Sequence, residues 1–307
     1  MLSQRGNQTK VRARRQWEHI RLNVYARLRH PPQPMDREPR RLIVTADDFG
    51  LSASVNEAIV RAHRDGILTC ASLMVNEPGF EQAVSLARAN PRLGVGLHLT
   101  LLDGHSTLSQ QDIPGLSNEQ REFTSSPVVA GCRYFLFPSL RAQLRTEITA
   151  QFKKFHSTGL SLDHVNSHHH IHAHPVVFDI LMDIAAQEGL TRLRLPFEPP
   201  SARSMPGTTL RDRMHVLFHG RMSARARPRL RTAGIKHNDY MFGLSRTGRI
   251  NEAYLRKVIP LLPQGASEIY SHPSLDALRH ELDALTSASV RQALKAENIA
   301  LIRFAEL

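Results

Sequence analysis

Long apolar runs are missing from this sequence. No window reaches the roughly 18 uninterrupted apolar residues of a membrane-spanning helix, so the chain does not read as an integral membrane protein. The charged N-terminal stretch is followed by no apolar segment, so no secretory signal is visible. Cysteine is scarce: Cys70 and Cys132 stand in unrelated contexts without metal-ligand spacing. That excludes a disulfide framework and fits a reducing cytoplasm. Aromatic residues are only 6% of the chain, and few interleave with arginine as stacking platforms, so nucleic acid is not expected as a partner. Acidic residues are also in deficit, 28 against 40 Lys plus Arg, for a formal charge of +12.

What is present is enough for a folded enzyme. The chain has 307 residues, 41% of them hydrophobic, sufficient for one large domain or two ordinary ones. Its positive charge is uneven. Residues 1–40 carry ten Lys or Arg against Glu18, Asp36 and Glu38, or +7 of the +12. They show little periodicity and end near Pro31-Pro32-Gln33-Pro34, which reads as a basic, disordered or partly helical extension with a Pro-rich linker. A single domain then runs over 41–307. A second basic cluster, Arg211 to Arg231, lies in an Arg-rich insertion at 201–250. Such patches attract anionic surfaces without specifying which.

From Arg41 onward, short apolar runs alternate with helical patterns. Leu42–Ala46 reads as a strand, and Ser54–Asp65 as a helix with Val55, Ala58, Ile59 and Ala62 on one face. Further strands are expected at 67–75, 95–99, 162–165, 192–195, 268–271 and 299–304. Helices are expected at 80–89, 140–156, 175–188, 210–224, 252–262, 275–285 and 290–297. Residues 103–138, rich in Gly, Ser, Pro and Gln, read as a long lid-like loop. Alternating strands and helices imply a parallel sheet or a β/α barrel, whose active site lies at the C-terminal ends of the strands.

The chemistry-bearing residues fall at such ends. Asp47-Asp48 closes the first strand and His98 ends the third. The run Ser167-His168-His169-His170-Ile171-His172-Ala173-His174 follows the fourth, and His272 ends the strand at 268–271. Each has an ordinary explanation alone: a turn, a satisfied core histidine, a surface run. Together they supply a carboxylate and imidazoles, the donors of a hydrolytic divalent metal, with a second carboxylate as base and an imidazole as acid. Adjacent strand residues point to opposite faces, so Asp47 and Asp48 share a site only if the backbone turns, and Phe49-Gly50 makes that turn credible. If the run is extended, His168, His170 and His172 share a face; if it is helical, His168 and His172 do. A glycosidase would need a second acid, for which Glu198 or Glu268 is available without motif support. A third reading makes the basic tail a nucleic-acid binder and the histidines bystanders.

The strings TADDFGLS, GVGLHLTL and LDHVNSHHHIHAHP resemble the YdjC-like carbohydrate deacetylases, over about residues 41–305. Within that family, RAHRDGILTCASLMVNEPGF, Asn166, HNDYMFGL and SEIYSHP look most like the hopanoid-biosynthesis-associated (HpnK) branch. The resemblance implies a distorted β/α barrel of the glycoside hydrolase/deacetylase type and a metal-dependent N-deacetylase. Its implied substrate is the N-acetylglucosaminyl head group of a hopanoid glycolipid; the alternative is a soluble N-acetylated oligosaccharide. It makes Asp48, His98 and His168 the metal ligands, Asp47 the base and His272 the acid or a stabiliser. His170, His172 and Asn166 become substrate-binding residues or supports of the ligands. The chitooligosaccharide branch resembles this pattern but with Asp in place of Asn166. One divalent ion is expected, Mg or Zn first, with Mn, Co or Ni also suited to the donors. A cytoplasmic enzyme touching the anionic inner membrane face would give the basic patches a purpose; homo-oligomerisation is left open.

Overall fold

Strand β1, Arg40–Phe49, lies at the centre of the fold and is buried over nearly its whole length. The computed structural model describes residues 40–203 and 207–307. The basic extension expected at 1–40 therefore lies outside the described residues, apart from Arg40. The other strands are β2 Cys70–Leu73, β3 Gly94–Leu99, β4 Val165–Ser167, β5 Tyr240–Phe242, β6 Ala266–Ser271 and β7 Ile299–Leu301. All pair in parallel, in the order β4-β3-β2-β1-β6-β5. One edge of β1 pairs with β7 at its start and with β2 towards its end.

Backbone hydrogen bonds close this sheet into a ring. Arg194 N–H donates to Val165 O (3.0 Å), and Leu193 N–H to Lys236 O (3.0 Å). Met241 N–H donates to Phe197 O (2.8 Å). The segment 192–197 thus bridges β4 to the chain that enters β5, through single bridges rather than a full ladder. Asn238 stitches the seam. Its Oδ1 accepts from Leu195 N–H (2.7 Å), while its Nδ2 donates to Leu195 O (2.9 Å) and Tyr240 O (3.0 Å). The fold is a distorted β/α barrel, as expected.

Side-chain alternation on β1 divides the interior in two. Leu42, Val44 and Ala46 join the main core with residues of the surrounding helices. Ile43 packs instead with Cys70 and Phe304, filling one end of the barrel. Helices α1 Ala53–Asp65 and α2 Phe80–Arg88 cover the next crossovers, followed by α3 Pro127–Leu136, α4 Leu140–Ser157 and α5 Pro175–Ile184. Then come α6 Leu210–Thr232, α7 Glu252–Val258, α8 Arg279–Thr286 and α9 Ala288–Ala296. Local chemistry starts several of them: Ser52 caps α1, Ser126 caps α3 ahead of Pro127, and Thr209 with Asp212 forms a capping box on α6.

The structure differs from expectation in places with physical causes. The lid-like stretch 103–138 contains helix α3, whose exposed apolar side chains hide its period. Helix α6 runs to Thr232 rather than Ala224, passing through Pro228, because Ser223, Ala226 and Leu230 keep a buried stripe beyond it. Residues 240–242, in the insertion read as irregular, form β5. Ile67 and Leu68 are buried but lie off the ladder, since their N–H groups bond to Leu285 O and Ala62 O.

Replacing Asn238 by Ala leaves the buried Leu195 N–H without its partner and takes one donor each from Tyr240 O and from Leu195 O, which keeps the Phe197 N–H (2.8 Å). At about 1–3 kcal/mol for an unsatisfied buried group, Asn238→Ala should lose about 2–3 kcal/mol in urea unfolding, whereas Asn251→Ala, at a helix cap, should lose about 1 kcal/mol.

Candidate active site

Two adjacent carboxylates reach one site because the backbone turns at Asp48 itself. Asp48 has φ 63, a left-handed conformation, and the β1–β2 register shifts between Ala46 and Phe49. Such a conformation costs a non-glycine residue about 1–3 kcal/mol, and aspartate tolerates it better than most. Gly50 follows with φ 96, where a Cβ would lie 2.7 Å from Met74 O.

Asp48 Oδ1 lies 3.2 Å from His98 Nε2 and 3.0 Å from His168 Nδ1. Ligand atoms of these three residues all lie within 4.8 Å of one another. They come from the ends of β1 and β3 and the turn after β4. A more exposed group, Asp103, His168 and His169, shares His168 on the solvent side; Asp103 Oδ2 is 3.0 Å from His169 Nε2.

The histidine run is neither extended nor helical. His169 (φ 52) and His170 (φ 55) are both left-handed, so each imidazole leaves in its own direction. His168 turns to Asp48 and His169 to Asp103. His170 is buried against the rings of Tyr270 (5.1 Å), His219 (5.5 Å) and His172 (6.2 Å). Burial and the charges of His219 and Arg194 keep its pKa well below the usual imidazole value. His172 accepts from Ser167 Oγ at Nδ1 (2.7 Å) and donates from Nε2 to Arg194 O (3.1 Å). Burial, with Arg194 nearby, lowers its pKa to about 3. Both its ring nitrogens are engaged within the fold, which leaves neither for a ligand.

Asp47 points into the barrel and meets Arg194, which is fully buried. The guanidinium bonds to Asp47 Oδ2 (2.5 Å) and Oδ1 (2.9 Å) and to Glu268 Oε1 (2.7 Å), and it faces the Tyr270 ring at 5.3 Å. Burial would raise the Asp47 pKa, but the charges of Arg194 and His98 outweigh it and hold the carboxyl far below its usual range. Asp48 is likewise held low against burial, by His168 and His98. The His168 pKa moves up, because Asp48 outweighs the effect of burial. His272 is half-buried at the end of β6, its ring 5.4 Å from that of Tyr270 and its backbone N–H on Glu281.

Arg194 and Asp103 were not among the residues singled out from the sequence. The alternation Arg192-Leu193-Arg194-Leu195 carries a signal for the first, since it puts an arginine on the inner face of a strand. No local pattern marks the second. Glu268 is occupied by Arg194, and Glu198 accepts the N–H groups of Gly243 and Ser245; both are fully buried. Neither is placed to act as a second acid on a sugar.

The donor set fits a divalent cation. Asp47, Asp48 and Glu268 set three buried carboxylates against one guanidinium. Asn166 Nδ2 donates to Asp47 (3.1 Å) and Ser72 (2.8 Å), so its Oδ1 receives the N–H of His98 Nδ1 (2.6 Å). His98 Nε2 then turns its lone pair towards Asp48, the arrangement of a metal-ligating imidazole supported through its other nitrogen.

A parallel β/α barrel with a carboxylate–imidazole cluster at its strand ends defines the class of fold and site. The sequence places the chain within it: residues 41–296 match the family model described as YdjC-like protein, and the chain belongs to that family. It is 34% identical over 280 residues to a carbohydrate deacetylase of Brevibacillus brevis, covering 87% of this chain and 99% of that protein. It is 37% identical over 153 residues to a chitooligosaccharide deacetylase of Proteus mirabilis, covering 48% of this chain and 56% of that protein. The crystal structure of a protein from Enterococcus faecalis V583, provisionally described as a cellobiose-phosphate cleavage protein, superimposes with a TM-score of 0.67. The two are 22% identical, and the match covers 88% of this chain and 99% of that one. That likeness supports the barrel fold.

The depressed pKa values of Asp47 and Asp48 stabilise the fold above the ordinary carboxylate pKa of about 4, and this contribution is lost as pH falls below it. In metal-free protein, Asp47→Asn should be less stable than wild type at pH 7, with Arg194 left undercompensated. Its stability should also fall less between pH 4 and pH 2, as urea titrations at stepped pH would register.

Proposed function

We propose that this protein is a carbohydrate N-deacetylase that hydrolyses the acetamide of an N-acetylated sugar with a divalent metal held by Asp48, His98 and His168. The single observation that carries the reading is the meeting of those three side chains, from three separate segments, at the strand ends of a YdjC-family barrel. The names of the curated relatives supply the substrate class. Two imidazoles and one carboxylate suit Zn, with Mg, Mn, Co and Ni as alternatives.

A divalent ion bound there would polarise the acetamide carbonyl and acidify a water. The protein's own groups do the rest. Asp47 is the proposed base: Arg194 keeps it ionised and aimed, ready to accept a proton at any working pH. The same contact makes it a weak base, so the water it deprotonates must already be acidic. His272, half-exposed beside Tyr270 at the end of β6, is the proposed acid for the departing amine. Asn166 holds both Asp47 and His98 rather than reaching outward.

Asp48→Asn, which tolerates the left-handed backbone, and His168→Ala should each lower kcat/KM for acetate release by at least about 100-fold, roughly 2.7 kcal/mol. Each should also lose bound metal in elemental analysis. Full activity in both variants, or activity that survives exhaustive chelation, would overturn the reading.

The finer reading is a glycolipid substrate of the hopanoid type, met at the inner membrane face. Its support is an exposed apolar rim. Helix α6 carries Leu210, Met214, Leu217 and Phe218 on one exposed stripe, and α3 exposes Val128, Phe135 and Leu136. Both helices touch the histidine turn: the His219 ring lies 5.5 Å from that of His170, and the Phe135 ring 6.4 Å from that of His174. Arg211, Arg213, Arg221 and Arg225 flank the stripe and make no ion pair among the described residues. Exposed apolar surface beside arginines suits an anionic bilayer. No helix among the described residues is long and apolar enough to cross a membrane, so contact would be peripheral. Wild type should cosediment with anionic more than with neutral vesicles. Leu217→Ser/Phe218→Ser should lose that binding while turning over N-acetylated chitobiose as before; equal partitioning of wild type at low salt would count against the glycolipid.

A further inference from the structure

Below the candidate metal ligands, the barrel holds a continuous line of buried polar side chains that the proposed chemistry does not use. Asp163 Oδ1 lies 3.0 Å from His164 Nδ1, His164 Nε2 lies 3.0 Å from Ser72 Oγ, and Ser72 Oγ accepts from Asn166 Nδ2 at 2.8 Å. Ser72, His164 and Asn166 are fully buried and Asp163 nearly so.

The direction of every bond in this line follows from the groups at its two ends. Asp163 is an acceptor: its Oδ2 takes the N–H of Ala305 (3.1 Å) and its Oδ1 takes the His164 ring. His164 therefore carries its proton on Nδ1 and accepts at Nε2. Ser72 has one proton, which it gives to His164, and so it receives from Asn166. Asn166 spends both its N–H bonds, on Ser72 and Asp47, and presents Oδ1 to His98. A reversed amide would set Oδ1 against the Asp47 carboxylate and an N–H against the His98 N–H.

We propose that Asp163, His164 and Ser72 are positioning residues that fix the Asn166 amide and so hold His98 in the one tautomer whose Nε2 is free to take a cation. The idea rests on the metal reading for its purpose but not for its geometry. Strand β3 is shaped around the line. A Cβ at Gly94 would lie 2.9 Å from the Asp163 carboxylate, and one at Gly96 2.5 Å from the His164 ring and backbone. Both glycines have ordinary φ, so it is space that requires them. On its other face His164 stacks on Phe304, with centroids 4.4 Å apart.

The test reads the His98 ring directly. In metal-free, 15N-labelled wild type, long-range 1H–15N spectra should show His98 as a single tautomer protonated at Nδ1. Ser72→Ala should remain folded by circular dichroism, show a mixture of His98 tautomers, and bind zinc about 10- to 100-fold more weakly. Ser72→Thr, which keeps the hydroxyl, should restore both. Asp163→Asn should act like Ser72→Ala from the far end; should it fail to fold, the two Ser72 variants still decide. A folded Ser72→Ala with one tautomer and wild-type zinc affinity overturns the proposal, as does weaker zinc binding with the tautomer unchanged. Wild type that binds no zinc but keeps the tautomer refutes the metal reading and leaves the positioning line standing.

Discussion

The Arg194 guanidinium, fully enclosed and shared between Asp47 and Glu268, is the interaction around which the barrel interior is arranged. An isolated charge in such a place is very costly, and breaking a buried pair costs about 3–5 kcal/mol. The arginine ties the first strand to the sixth through side chains, across a pairing already made by backbone. Its own carbonyl receives His172, whose other nitrogen is held by Ser167. The turn that delivers His168 is thereby anchored to the residue that keeps Asp47 ionised. Candidate base and candidate ligand are placed by one network, not two.

Strain in the site falls on four non-glycine residues, of which Asp103 (φ 51) carries the solvent-side carboxylate. Asp48, His169 and His170 likewise adopt left-handed backbone that their side chains disfavour. The first brings both carboxylates of an adjacent pair to the same region. The other two send neighbouring imidazoles to separate partners, His169 to solvent and Asp103, His170 into the packing under α6. A regular strand or helix could do neither, because each repeats its side-chain directions. The surrounding β1 and β4 ladders hold these conformations in place.

This explains what could be read from the amino-acid order and what could not. The alternation of apolar runs and helical stripes was legible because burial imposes those periods, and it led to a parallel barrel with polar residues at the strand ends. Asp48, His98 and His168 stood out because a charged or imidazole side chain after an apolar run is unusual. The destinations of His170 and His172 were illegible, since consecutive left-handed residues leave no period to count. Arg194 was hidden in a stretch that pairs by single bridges. Helix α3 looked like loop because its apolar residues face outward, and α6 looked short because Pro228 is a sound reason to stop a helix that tertiary packing overrides. The family motif around Asn238 was visible as a string, but its work in joining Leu195 to Tyr240 depends on the closed ring.

The placement of β1 has a consequence for how the chain reaches this state. The first strand of the barrel pairs with three others, yet two of them, β6 and β7, arrive about 225 and 260 residues later. Non-local pairing of this kind slows folding. During synthesis, Leu42-Ile43-Val44 must wait as an unpaired apolar strand, a template for wrong partners. Assembly should therefore wait until β6 and β7 have been made, and the helper proteins that shield nascent strands should govern its yield.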